Sequence, residues 1–304
     1  MKMHKLIELL IELEITSEDC LSVFHHGTRD IPSINVLRCE RSGVLILDKI
    51  NTDLKYYEKN KAYDIENLGA TYKRGKTLYK SPLLHDDLRR FNNLKGKLLK
   101  KDILDFGCRQ GGFIKLASTV SNNIVGIELH YGNRKSLQDA GFDIKKTTDE
   151  LKSNELFDVI TLHHVFEHLS EPVEILTKLK KHLKPDGELI IEVPHSNDIL
   201  IQTMDIPKFK SFTFWSEHLI LHTKESLNKI LEHVGFKTKE IVGFQRYPIS
   251  NHLYWLHIGQ GGGQDKYKFL NDKELIKSYN NFLVKKNLTD TIIGSFNHRH
   301  PKNN

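Results

Sequence analysis

Residues 101–117, KDILDFGCRQGGFIKLA, constrain the chain more than any other stretch. A short apolar run, Lys101–Asp105, must be a strand, and FIKLAS opens a helix within a few residues of it. The turn between them, Gly107-Cys-Arg-Gln-Gly111-Gly112, is glycine-rich. Gly107 and Gly111 let the backbone approach a ligand with no Cβ in the way. The start of the following helix offers N–H groups and a positive dipole end to an anionic group. Asp105, at the carboxyl end of the strand, is placed to accept hydrogen bonds from a bound molecule.

The sequence after this point alternates strand and helix. Residues 123–128 and 157–162 (NIVGIE, FDVITL) and 188–193 (ELIIEV) read as strands. Residues 171–183 read as an amphipathic helix closed by Lys184-Pro185-Asp186-Gly187, and a helix over 224–234 precedes a strand over 238–242. This order implies βαβ units and a doubly wound, mostly parallel α/β sheet. Glu128 closes the second strand, where a carboxylate meets ribose hydroxyls in doubly wound nucleotide sites, and Leu129 follows it.

Outside this core the reading is coarser. Residues 1–15 form an amphipathic helix, and 34–48 two strands joined by a Ser42–Gly43 turn. Residues 50–98 are polar, lysine-rich and partly helical, with Tyr56–Tyr57 and Arg89–Arg90. Residues 196–222 are irregular and aromatic, and 247–263 combine aromatics with glycines. The tail after Lys266 is helical, then loose. The resulting division is an accessory region over 1–98, a core over 99–195, completion of the sheet with a substrate cap over 196–265, and a tail over 266–304.

Composition narrows the function classes. A chain of 304 residues with 38% hydrophobic and 28% charged residues affords a packed core. The net charge of +6 is spread among interspersed acids, which fits a solvated surface and an anionic small-molecule partner. No zinc-finger spacing, RNP-like motif or basic–aromatic block points to nucleic acid. Three scattered cysteines, Cys20, Cys39 and Cys108, make no disulfide framework. With no leader-like start and no apolar run of about 20 residues, the expectation is a cytoplasmic protein, monomeric or homodimeric.

The phrases ILDFGCRQGGF, GIELH, FDVITLHHVFEHL and LKPDGELIIEVPH resemble the successive motifs of class I, Rossmann-like S-adenosylmethionine-dependent methyltransferases over residues 99–195. WSEHLILHT and QRYPISNHLYWL are similar to the substrate-capping part of the subgroup acting on sugars and surface polysaccharides. The resemblance implies a seven-stranded sheet and S-adenosylmethionine as cofactor, with S-adenosylhomocysteine as product. It places Asp105 on the cofactor's ammonium, the glycine loop and Cys108, Gln110 and Phe113 around its methionyl part, and His163 beside the sulfonium. Glu128 and Leu129 fall at the ribose and Thr148 near the adenine. The family's usual second glycine is Arg109 here. VLRCERSGVLIL is similar to the end of a zinc-ribbon module, but its CxxC pairs are absent, so no metal is expected.

The acceptor side is read from the histidines. His218, in WSEH, resembles half of a Tyr-x-x-His element in which the histidine takes a substrate proton; the tyrosine position is Trp215. Imidazole basicity near neutrality suits that work. His164 is the second catalytic candidate. Glu167 and His168 either shape the acceptor site or cap the next helix; the resemblance leaves a further alternative, a divalent metal held by His164, Glu167 and His168, since some relatives use a carboxylate-histidine cluster there. Arg246, Tyr247, Asn251 and His252 are candidate acceptor contacts, with Lys73 and Arg74 as further phosphate-binding cations. His164-Val-Phe-Glu167-His168 also fits the H-x-x-E-H zinc-protease pattern, but that pattern needs a helix and here follows a strand. A dinucleotide-dependent oxidoreductase would need glycine at Arg109. C- or N-methylation on the same fold, and a silent cofactor-binding subunit, remain the alternatives.

Overall fold

The computed structural model describes residues 3–52, 54–59, 71–74, 77–80 and 85–298; the side chains of residues 54, 59, 71–74 and 77–80 lie outside that description. In chain order, helix α1 (Lys5–Glu12) is followed by strands β1 (Leu21–His25), β2 (Val36–Cys39) and β3 (Leu45–Leu47). Helix α2 (Leu54–Lys59), the hairpin β4 (Thr71–Arg74) and β5 (Thr77–Lys80), and α3 (His85–Leu98) come next. The core then runs β6 (Asp102–Phe106), α4 (Gly112–Ala117), β7 (Asn123–Ile127), α5 (Tyr131–Asp139), β8 (Asp143–Lys145), β9 (Phe157–His163), α6 (Pro172–Lys181) and β10 (Leu183–Pro194). It continues through α7 (Ile199–Gln202), α8 (Pro207–Thr213), β11 (Ile220–Leu221), α9 (Lys224–His233) and β12 (Phe236–Phe244). Helices α10 (Ile249–Ile258), α11 (Gly263–Lys266) and α12 (Lys273–Lys286) lead to β13 (Thr291–His298). The seven-stranded sheet has the order β12-β13-β10-β9-β6-β7-β8, the doubly wound α/β arrangement expected from the sequence. Among the described residues no helix is long and apolar enough to cross a membrane.

The chain divides into two compact units that cut across the sequence-based segments. One comprises Thr52–Val165, Glu174–Ile191 and Phe296–Asn304. There β6 lies between β7 and β9, parallel to both, so that Asp105 stands beside Gly126 on one side and Thr161 on the other. Ile103, Leu104, Val125, Val159 and Ile160 are buried, the near-continuous apolar pattern of strands covered on both faces. Gly126 is needed for that cover, because a Cβ there would meet Ile114 Cδ1 at 2.6 Å and Cys108 Sγ at 2.8 Å. Helix α3 packs against α4, so residues 85–98 belong to the core rather than to an accessory region. The expected turn at Lys184–Gly187 is instead the first part of β10. The extended backbone wins there because Leu183 and Gly187 carbonyls accept hydrogen bonds from His298 and Asn297 of β13, at 2.9 Å each.

The other unit comprises Met1–Asn51, Phe166–Val173 and Glu192–Ser295. Its four-stranded sheet has the order β1-β2-β3-β11, with β2 and β3 antiparallel about a turn in which Gly43 takes φ +73°. Cys39 is buried in this sheet, its thiol 3.7 Å from the Ile15 carbonyl. Helix α9 begins at a reciprocal Thr223–Ser226 capping box, which satisfies end groups that would otherwise be orphaned. The stretch read as irregular, 196–222, contains α7, α8 and β11. Trp255 is 4% exposed in a cluster with Ile199, Leu200, Ile206 and Leu283. Within the tail, β13 is inserted between β12 and β10; residues 299–304 of the run read as loose lie outside the described residues.

Candidate active site

The strand–turn–helix at β6–α4 is built by conformation first. Gly107 and Gly111 take φ +77° and +74°, and Arg109 between them takes φ +49°. A Cβ on Gly107 would meet Val165 at 2.4 Å, and one on Gly111 would meet Leu137 at 2.4 Å. The left-handed conformation explains why glycine is usual at the position Arg109 occupies. The Arg109 side chain tolerates it by lying exposed. The loop is held by its backbone: Gly107 N and Cys108 N donate to the Ile127 carbonyl at 2.8 and 3.0 Å. Arg109 N donates to Glu128 Oε2 at 2.7 Å, and His130 N to Glu128 Oε1 at 2.7 Å. Glu128 therefore fixes the shape of the loop, and each of its oxygens retains a second lone pair for a ligand.

The loop walls a cleft that is partly open to solvent and lined, among the described residues, by Asp87, Arg90, Asp105, Gly107, Cys108, Arg109, Gln110, Gly111, Gly112, Phe113 and His163. Asp105 is 3% exposed and accepts a hydrogen bond from Thr161 Oγ1 at 2.8 Å. Burial pushes its carboxyl up to about 7, against the lowering pull of Thr161 and Arg90. Burial raises Glu128 as well, opposed by the His130 and Arg109 amides. It lifts the Cys108 thiol well above its ordinary value, which removes that thiol as a nucleophile at neutral pH. Lys115 is lowered to about 8, chiefly by burial. His163 packs edge-on against Phe113, ring centroids 4.8 Å apart.

The cleft thus brings together Asp105, Gly107, Cys108, Gln110, Gly111, Gly112, Phe113 and His163. Leu129 is half-buried, its carbonyl accepting from Arg134 at 2.7 Å. Thr148 is 5% exposed within a 3-10 turn and lines no part of this cleft. Asp149 points outward to Lys178 at 3.1 Å. Asp87 and Arg90 are the residues sequence reasoning missed. They pair at 3.8 Å one helical turn apart in α3, and a Cβ on Gly112 would meet Asp87 Oδ2 at 2.0 Å. The Asp-Asp-x-Arg-Arg run of α3 carried the signal, but nothing in the sequence tied that helix to the glycine loop.

The acceptor-side candidates separate. His164 is half-buried and takes φ +53° just beyond β9, a conformation costly for a non-glycine residue. Glu167 and His168 lie in a 3-10 turn, Phe166–His168, rather than at the start of a longer helix. The H-x-x-E-H run is therefore not on one helix face, which rules out the zinc-protease geometry. His218 stands edge-on to Trp215 and His168, with centroids 5.9 and 5.1 Å apart. Arg246 covers the Tyr247 ring at 5.3 Å, and both backbone amides donate to Asp290.

Asn251 and His252, expected from the sequence to contact the acceptor, are instead engaged within the protein. Asn251 Oδ1 accepts from Gly262 and Gly263 amides at 3.0 and 3.2 Å. His252, 1% exposed, bonds the Tyr279 hydroxyl at 2.8 Å and Gln245 at 3.2 Å, and burial lowers it to about 4. Both side chains are occupied in holding α10. Gly263 passes close to α10, since a Cβ there would meet the Ser250 carbonyl at 2.2 Å. Lys73 and Arg74 carry side chains outside the described residues.

The methyltransferase-domain family model matches residues 79–241, more than half of the chain. Curated relatives include the ubiquinone biosynthesis O-methyltransferase of Rickettsia conorii, 29% identical over 108 residues, covering 33% of this chain and 37% of that protein. The protein of the same description from Dinoroseobacter shibae is 27% identical over 179 residues, covering 54% of this chain and 69% of the relative. In the first three such matches the aligned part spans 37–45% of the relative's length. Solved structures include a SAM-dependent methyltransferase from Archaeoglobus fulgidus, with 17% identity, TM-score 0.45, and coverage of 69% of this chain and 93% of that one. Another is the N-methyltransferase NodS from Bradyrhizobium japonicum in complex with S-adenosylhomocysteine, with 14% identity, TM-score 0.41, and coverage of 71% and 94%. The chain belongs to this family, the class I S-adenosylmethionine-dependent methyltransferases, whose cofactor is S-adenosylmethionine and whose product is S-adenosylhomocysteine.

Proposed function

We propose that this chain transfers the methyl group of S-adenosylmethionine to an oxygen of a small acceptor. The observation that carries the reading is the cleft at β6–α4: a buried acid at the strand end, a left-handed glycine loop against it, and an arginine on the facing helix. Asp105 accepts from the cofactor's ammonium, Arg90 takes its carboxylate, and Glu128 its ribose hydroxyls. His163 and Phe113 pack on the methionyl chain. The residues fit the molecule chemically: one anion for the cation, one cation for the anion, and a floor with no room for a Cβ at Gly107 or Gly111.

In the reaction the carbon–sulfur bond breaks as the oxygen–carbon bond forms. The electron pair goes to sulfur, leaving a neutral thioether, and the hydroxyl proton goes to a base. His164, in its strained position directly after His163, is assigned that base. Most of the acceleration comes from alignment, since well-oriented reactants gain up to roughly 7–11 kcal/mol, and a histidine base adds about 10²–10⁴-fold.

The first acceptor class is a hydroxyl of a sugar, nucleotide-sugar or sugar-linked phosphate, supported by the WSEH and QRYPISNHLYWL phrases and the net charge of +6. The second is a phenolic hydroxyl, favoured by the O-methyltransferase names of the curated relatives. Purified protein is titrated calorimetrically with S-adenosylhomocysteine, then given methyl-labelled cofactor with nucleotide-sugars and, separately, dihydroxybenzoates. Label in a sugar ether supports the first class and label in an aryl ether the second. Failure to bind S-adenosylhomocysteine would sink both.

A further inference from the structure

We propose that Arg29, Arg38 and Lys210, set on a bed of aromatic rings, form a binding site for the phosphate groups of a small molecule. The site draws on residues 24–38 and 210–215, too far apart in sequence to read as a basic–aromatic block, and all of them belong to one compact unit. Trp215, expected from the sequence to contact the acceptor, is part of the ring bed. The phosphate is therefore assigned to the acceptor, and that assignment rests on the methyl-transfer reading above.

The backbone aims the rings. Arg38 of β2 stands opposite Ser22 of β1, and the register then shifts between Val23 and His25. A bulge of this kind re-aims the side chain it carries, here Phe24. Arg38 Cζ lies 5.6 Å and Lys210 Nζ 5.0 Å from the Phe24 ring centroid. Phe24 meets Phe214 edge-on at 6.2 Å, and His25 meets the same ring at 5.3 Å. Arg29 N donates to the Phe214 carbonyl at 2.9 Å. The Arg29 guanidinium carbon lies 4.4 Å from the Trp215 ring and 5.4 Å from Phe212. Asp30 ties the two segments together by accepting from Ser216 N and Oγ, at 3.1 and 2.5 Å.

The positive charge is left largely uncompensated. Among the described residues neither Arg29 nor Arg38 has a carboxylate partner. Arg38 Nε is buried with no hydrogen-bond partner, and a buried donor left unmade costs free energy that calls for an explanation. Lys210 reaches Asp205 at 2.5 Å, but that carboxylate is exposed. Burial, then the positive Lys210 and His26, lower the His25 imidazole below its ordinary value, so the neighbourhood is electropositive. Cation–π contact holds the charged heads over the rings. It leaves the guanidinium N–H edges for oxygen, and that fork matches phosphate geometry. Several cations spread along linked rings suit a multiply charged phosphate rather than a single carboxylate.

The test uses the full chain in calorimetric titrations with inorganic pyrophosphate, uridine diphosphate and S-adenosylhomocysteine. The first two are repeated with S-adenosylhomocysteine saturating, which closes the cofactor cleft to them. The expected result is one equivalent of pyrophosphate bound, weakened by about tenfold or more in both Arg29→Gln and Arg38→Gln, with S-adenosylhomocysteine affinity within about twofold of wild type. Arg29 is exposed, so its variant tests the site even if Arg38→Gln does not fold. Tighter binding of uridine diphosphate than of pyrophosphate supports a nucleotide-borne phosphate, and equal binding supports a phosphate borne without a nucleoside. Absence of both by a wild type that binds S-adenosylhomocysteine overturns the proposal and leaves methyl transfer standing. Affinity unchanged in both variants overturns it too, as does binding of single-stranded DNA alone, which would make the patch a nucleic-acid surface. Pyrophosphate binding without S-adenosylhomocysteine binding supports the site and refutes only the methyl-transfer reading.

Discussion

Replacing Asp105 by asparagine separates stability from cofactor binding. The amide keeps the shape of the side chain and an oxygen for Thr161 Oγ1, which donates at 2.8 Å. It removes a carboxyl that burial pushes up to about 7 from 3.8. A raised acid favours the folded state while protonated. Its contribution is full below the ordinary value of 3.8 and is lost as pH rises toward 7. At roughly 1.4 kcal/mol per unit, the wild type gives up about 4 kcal/mol across that window, and Asp105→Asn does not. Binding runs the other way. The ammonium of the cofactor needs the ionised carboxylate, so below pH 7 the wild-type Kd for S-adenosylhomocysteine rises about tenfold per unit. The variant binds with a flat profile and, at pH 8, about 10–100-fold more weakly, the worth of one hydrogen bond to a charged group. Urea unfolding and calorimetric titration at pH 5, 6, 7 and 8 give both profiles. The difference between the two proteins is the readout, because buried Asp198, raised to about 8 by burial, titrates alike in each. Parallel profiles for wild type and variant would refute the assignment of Asp105.

The remaining expectations concern the loop and the lid. Arg109→Gly relieves a left-handed non-glycine residue, worth about 1–2 kcal/mol, and gives back up to about 1 kcal/mol of unfolded-chain entropy. Urea unfolding should show a gain of up to about 1 kcal/mol with cofactor affinity intact; a loss of binding would mean that the guanidinium contacts the ligand. Gly107→Ala drives a Cβ to within 2.4 Å of Val165 at φ +77°, so it should destabilise by roughly 1–3 kcal/mol and weaken S-adenosylhomocysteine binding more than tenfold, read by calorimetry. Trp255→Ala empties a core position and should cost about 3–5 kcal/mol in urea unfolding, with S-adenosylhomocysteine affinity unchanged; little destabilisation would refute its place in the core cluster.

The core was legible in the sequence because its signals are local. A buried parallel strand is a short apolar run, and a sharp strand-to-helix turn demands residues that take positive φ. Both sit within twenty residues at β6–α4. Arg109 stood out by breaking that rule, and its φ of +49° shows that the backbone requirement holds with an exposed arginine at the cleft. What stayed hidden depends on neighbours far along the chain. Nothing local marks Lys184–Gly187 as strand, since its carbonyl partners are His298 and Asn297. Nothing local tells an aromatic lid from a core helix in residues 247–263, because Asn251 and His252 find their partners at Gly262 and Tyr279.

The same distinction explains the histidines. Read in sequence, His164, Glu167 and His168 match the H-x-x-E-H spacing, which carries chemistry only when it lies on a helix face. The chain leaves β9 through a positive-φ residue at His164 and enters a 3-10 turn, so that spacing never becomes a face. Glu167 and His168 turn instead toward His218, brought in by the Leu219–Glu167 backbone hydrogen bond. His164 directly follows His163, which lines the cleft. The two candidates for the proton acceptor, His164 and His218, are thereby separated. The separation makes a kinetic distinction: His164→Ala should lower kcat by about 10²–10⁴-fold with S-adenosylhomocysteine affinity retained, whereas His218→Ala should leave kcat within a small factor of wild type. If His218→Ala lowers kcat as far as His164→Ala does, the assignment of the base to His164 is wrong.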